Sequence, residues 1–202
     1  MKKLFFKKLL KFYFVPSTFL LKKFIFIHIP KTGGIAVCRA LGVKPHGHIK
    51  YFEYENILKI NRYFTFTVIR DPVFRFISAY NYLAAGGRNK FDLKSKKEFN
   101  ITKDNFNNFI DGLGNMQKIP IHFQTQSSFL LNKQNNLNIN FICKFEQLDK
   151  DFKELTKILN LEDVQLQKEN ISKKIISIDE LNKKQIQKIE NYYYEDRVLY
   201  EK

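Results

Sequence analysis

Three groups of residues in this chain have the types and spacing that chemistry uses. The first is Lys31-Thr32-Gly33-Gly34, inside the run FIFIHIPKTGGIA that spans residues 24–36. An apolar stretch enters two glycines, which permit positive φ and close backbone approach, and a helical pattern follows. Free N–H groups at that helix start, with the Lys31 ammonium beside them, make an anion site. The same pattern also fits a tight βα turn whose lysine is only solvated. The second group is Arg70, Arg75, Ser78 and Tyr82 in VIRDPVFRFISAYNY. Arg70 stands at the carboxyl end of a strand pattern, where its fork of donors suits a phosphate. Arg75, Ser78 and Tyr82 are spaced i, i+3, i+7 and share a helix face, although Arg75 also reads as a surface charge and Ser78 as a packing residue. The third is the His46-Gly47-His48 pair in PHGHIKYF. Histidine is the usual proton acceptor near neutral pH. A metal site is a poor reading of the pair, since no third ligand lies nearby, and a surface pair in a loop is the plain alternative. His28 reads as a structural histidine of the first strand, and His122 as a residue whose role the sequence leaves open.

The elements that must position these groups follow from the hydrophobic pattern. Phe24–Ile29 is apolar nearly throughout, as in a buried central strand, and Pro30 ends it. A helix is expected over Ile35–Leu41, a second strand over Tyr63–Ile69, and a helix over Val73–Ala85 with Asp71 as N-cap and Pro72 at its first position. Residues 88–103 are polar, lysine-rich and without periodicity, so they read as a mobile loop. Helices are expected near 104–112, 121–131, 147–160 and 179–195, with an Asn-rich turn (Asn132–Asn138) before a third strand, Ile139–Lys144. Strands separated by helices argue for a parallel α/β sheet with ligands at the carboxyl ends of its strands.

Composition sets the frame. The 202 residues include 21 phenylalanines, and 44% are hydrophobic, which fits a packed globular chain and excludes disorder. Cys38 and Cys143 make neither a disulfide framework nor a zinc pattern, so a reducing compartment is expected. The net charge of +15 points to anionic partners. Residues 1–24 carry seven lysines and no acid. The apolar run Phe12–Leu21 is too short to span a bilayer, and lysines interrupt any signal-peptide pattern. That segment is expected either to lie on an anionic membrane surface or to pack on the domain.

IPKTGG followed by RDPVFRFISAY resembles the sulfotransferases, and within them the carbohydrate branch that includes heparan sulfate 2-O-sulfotransferase. Weaker similarity extends to HFQTQSSFL and FICKFEQL, so the resemblance covers roughly residues 24–160. It implies a P-loop NTPase-like, three-layer α/β fold with a mostly parallel central sheet flanked by helices. The division it implies is a basic aromatic extension at 1–23 and a sulfotransferase domain at 24–202. It also implies a donor, 3′-phosphoadenosine 5′-phosphosulfate (PAPS), with no metal. Lys31, Thr32, Gly33, Gly34, Ile35 and Ala36 would hold the 5′-phosphosulfate, and Arg70 with Ser78 the 3′-phosphate. His48 would be the base, with His46 in support, and Lys31 would stabilise the departing phosphate. The acceptor implied is a glycan, an acidic one among the candidates. A cytoplasmic protein is expected, peripheral on the inner membrane face if residues 1–23 bind there. The family usually continues PKTGG with Thr-Ser, whereas this chain has Ile35-Ala36, so two hydroxyl donors are missing. A non-catalytic anion- or glycan-binding homologue is therefore the alternative. A P-loop kinase fits less well, because its lysine follows the glycines. No nucleic-acid-binding module is recognisable.

Overall fold

The structure, a computed structural model, describes residues 16–44, 47–161, 164–167 and 174–202. The chain forms two compact units, one from residues 1–69 and 126–169 and one from 70–125 and 170–202.

The first unit carries the sheet. Strands β1 (Phe24–Ile27), β2 (Phe64–Ile69) and β3 (Phe141–Lys144) are all parallel, in the order β1-β2-β3. The helices of this unit are α1 (Ser17–Lys22), α2 (Gly34–Ala40), α3 (Tyr51–Glu55), α7 (Ser127–Leu130) and α8 (Leu148–Ile158). This is the expected α/β class with a parallel sheet flanked by helices. One expectation is corrected: among the described residues β2, not β1, is the middle strand. β1 is nonetheless fully buried, because Phe19 of α1 packs its ring 5.3 Å from that of Phe24.

Period-2 alternation puts Phe24, Phe26 and His28 on one face of β1 and its continuation. In register, Phe24 lies opposite Phe64 and Phe26 opposite Phe66. Phe66 stacks on Phe26 at 5.0 Å, and Phe26 stacks on the His28 ring at 5.4 Å. On the other edge of β2, the Asn140 side chain accepts from the Thr65 N–H and hydroxyl at 2.8 and 2.9 Å. Asn140 is thereby used as a clamp, and β3 starts at Phe141 rather than at Ile139. The backbone N–H of Lys144 donates to the buried Asp151 of α8 at 2.7 Å, tying the strand's end to its helix.

The second unit is helical: α4 (Pro72–Ala84), α5 (Lys90–Glu98), α6 (Phe106–Gly112), α9 (Lys183–Tyr192) and α10 (Tyr194–Glu201). Its core is aromatic, with Phe76 and Tyr80 of α4 packed on Phe106, Phe109 and Phe123. α4 begins where expected, since Asp71 Oδ1 accepts from the N–H groups of Val73 and Phe74 at 2.9 and 3.1 Å. The stretch read as a mobile loop is corrected, for it contains α5. Asn89 caps this helix, and the buried Asp92 accepts from Tyr82, Asn89 and the Arg88 N–H. The helix expected over 121–131 is instead a single turn at Ile121–Phe123 and the four-residue α7. No helix among the described residues is long and apolar enough to cross a membrane.

Candidate active site

In the first unit, β1 leads through buried His28, Ile29 and Pro30 into the glycine loop. Thr32 is fully buried, and its hydroxyl donates to the Ile29 carbonyl at 3.0 Å, folding the loop back on its own strand. Lys31 is half-buried and has φ 69, a left-handed conformation rare for a residue with a Cβ. Gly33 has φ 80, and a Cβ there would meet the Phe145 ring at 2.9 Å. α2 then starts at Gly34, with Ile35 half-buried and Ala36 buried. The loop contains one cation, no acid, and the backbone N–H groups of a helix start. That donor set suits a phosphate or sulfate ester.

His48 belongs to the same unit. Residues 47–50 have no regular structure, and the Ile49 N–H donates to the Gly47 carbonyl at 3.1 Å, a tight turn with His48 at its apex. His48 Nδ1 lies 2.9 Å from the carbonyl oxygen of His28. A carbonyl only accepts, so Nδ1 carries the proton and Nε2 is the basic nitrogen of the neutral ring. The two imidazoles lie 4.5 Å apart. The His28 ring in turn lies against Gly34, where a Cβ would come within 2.1 Å of it. Gly34, His28 and His48 are thus consecutive contacts. His46 lies outside the described residues.

His28 is the residue that sequence reasoning undervalued. It was expected to be structural, and it is buried, but its carbonyl fixes the tautomer of His48 and its ring fills the space beside Gly34. Strand alternation with Phe24 and Phe26 was the signal that could have placed it on the loop side.

In the second unit, Arg70 follows Ile69 of β2 directly, and Arg70 and Ser78 are both half-buried. Asp71, the acid next to Arg70, is committed elsewhere: beyond its capping bonds, Oδ2 accepts from Arg197 of α10 at 2.8 Å. Sequence reading gave no sign of Arg197. Arg75 is neither a ligand-facing cation nor a surface charge. It is fully buried, donates to the carbonyls of His122 and Gln124 at 3.2 and 2.7 Å, and pairs with the buried Asp196 at 3.8 Å. Tyr82, expected on the same face, bonds Asp92. His122 is buried with Nε2 3.8 Å from Asp92. Among the described residues, no cluster of three His, Cys, Asp or Glu side chains is placed to hold a metal.

A family model described as the sulfotransferase family matches residues 21–202. No curated protein and no solved structure gives a significant match.

Proposed function

The chain belongs to the sulfotransferase family and is a sulfuryl transferase, and from that premise we propose that it uses PAPS as donor and a glycan hydroxyl as acceptor. The observation that supports the reading is the 2.9 Å contact from His48 Nδ1 to the His28 carbonyl, which leaves Nε2 as the basic nitrogen of the neutral ring. Lys31 and the loop N–H groups hold the 5′ end of the donor, and Arg70 with Ser78 holds its 3′-phosphate, as the motif resemblance implies. When bound, PAPS supplies the sulfuryl group. Lys31 offsets negative charge that builds on the departing phosphate side. His48 takes the acceptor's hydroxyl proton at Nε2. Ile35 and Ala36 bring no hydroxyls, so the loop contacts the donor through its backbone and through Lys31.

The test is labelled-sulfate transfer from PAPS to a panel of glycans, with His48→Ala beside the unsubstituted enzyme. Transfer should fall by roughly 10²–10⁴-fold in the variant. Stabilisation by 3′-phosphoadenosine 5′-phosphate in thermal unfolding should persist. Full turnover by His48→Ala, or no transfer to any hydroxyl acceptor by the unsubstituted enzyme, overturns the proposal.

A further inference from the structure

Lys50 is the residue before α3 and stands two residues after His48, so the two Cα atoms lie within about 7 Å of each other. Its position is fixed: its own N–H donates to Glu53 Oε2 at 3.1 Å. The side chain is half-buried, and its ammonium donates to the Ser128 hydroxyl at 3.1 Å and sits 5.0 Å above the Phe129 ring. Among the described residues no carboxylate forms an ion pair with it. A charge drawn partly out of water loses hydration that an opposite charge can offset. Among the described residues the hydrogen-bond partner of this ammonium is the neutral Ser128 hydroxyl. Burial pulls the Lys50 pKa below its ordinary value, and the charge of Glu53 only partly opposes this.

We propose that Lys50 and Ser128 form an anion-binding subsite beside His48 that takes a carboxylate or sulfate ester carried by the acceptor sugar. The inference rests on the sulfuryl-transfer reading and names the substrate class for it. The acceptor is the fitting source of the anion. The donor's phosphates already have Lys31, the loop N–H groups, Arg70 and Ser78, whereas Lys50 stands two residues from the one that receives the acceptor's proton. An anion here completes the charge balance of the ammonium and sets the sugar's orientation relative to Nε2 of His48. Lys50 is thus a specificity-determining residue for the reaction.

The experiment compares a uronate-containing oligosaccharide with its carboxyl-reduced counterpart as acceptors, using PAPS and the full chain. Lys50→Met keeps the aliphatic stem and removes the charge. It should raise KM for the anionic acceptor about tenfold, the low end for a charged hydrogen bond. The kcat, the KM for PAPS and the KM for the neutral acceptor should stay within about twofold. Lys50→Arg should retain the preference, which a merely structural role for the charge near Phe129 does not predict for acceptor selectivity. Equal losses on both acceptors, or a shift confined to the KM for PAPS, overturn the subsite while leaving sulfuryl transfer standing. Failure of the unsubstituted enzyme to transfer to either acceptor overturns the transfer reading itself.

Discussion

Gly34→Ala isolates what the His28 ring does. A Cβ at position 34 would lie 2.1 and 2.2 Å from Cδ2 and Nε2 of His28, where an ordinary contact begins at 3.4 Å. The ring must therefore retreat by about 1.3 Å. It has little room to do so, being 6% exposed and stacked on Phe26. Overpacking of this kind costs about 1–3 kcal/mol, while alanine in place of a helical glycine returns up to about 1 kcal/mol. A net loss of about 1–2 kcal/mol is expected in urea denaturation. The larger effect falls on turnover. His48 sits 4.5 Å from the displaced ring and is bonded to the same residue. A shift of about 1 Å in a reacting group costs on the order of 10²-fold. Gly114→Ala is the control, because nothing lies within 4 Å of the Cβ it would add. His28→Ala vacates the space, so adding Gly34→Ala to it should cost no further stability, and the two changes should be strongly non-additive. Gly34→Ala as stable and active as the control, or additive with His28→Ala, would refute the reasoning.

The other expectations concern charge and burial. Arg75→Met removes a buried ion pair with Asp196 and two bonds to the His122 and Gln124 carbonyls, and should destabilise the chain by about 3–5 kcal/mol in chemical denaturation. Burial pushes the Cys143 thiol from 9.0 up to about 12, with the charges of Asp151 and Glu154 adding to the shift. The unfolded chain thus ionises first as pH rises. The contribution of this thiol is fully present below about pH 9 and lost as pH approaches 12. Denaturation at pH 8 and 10.5 should show that fall, less steeply in Cys143→Ala. Lys31→Gly should shift the urea midpoint upward while abolishing most sulfuryl transfer, and a midpoint shifted downward would contradict it.

The loop and both strand–helix junctions were legible because their signals are local: an apolar run, Pro30, two glycines, and Asp71-Pro72. What the sequence hid is set by long-range polar contacts. α5 has no apolar stripe to betray it, because a single buried acid, Asp92, fastens it by accepting from Tyr82 and Asn89. Lys96 adds a bond to the Ala84 carbonyl. The stretch 121–131 has helical composition, yet the Arg75 guanidinium takes the carbonyls of His122 and Gln124, which a continuous helix would need for its own bonds. The helix expected over 179–195 is broken at Tyr193, whose buried hydroxyl donates to the Phe123 carbonyl at 2.7 Å. Arg75, Tyr193 and Arg197 act on partners many residues away, and no spacing rule reaches them. The same holds for His28 in part. Alternation gives its face, but not that its carbonyl meets a histidine 20 residues on.

The glycines of the loop are weaker evidence for a ligand than the lysine before them. Gly33 and Gly34 both have packing reasons of their own, since Phe145 and His28 fill the space a side chain would need. A purely structural turn would require them equally. Lys31 carries a different signal, a strained backbone. Its φ of 69 is one that glycine adopts freely and that costs a residue with a Cβ about 1–3 kcal/mol. The surroundings impose the conformation: Pro30 and Thr32 on either side are buried, and Thr32 is bonded back to Ile29. Glycine at position 31 would relieve that backbone strain. Strain of this kind is what the proposed role of the Lys31 charge would entail, in a loop that contains no acid. That is why Lys31→Gly is expected to separate stability from activity, gaining the one and losing the other.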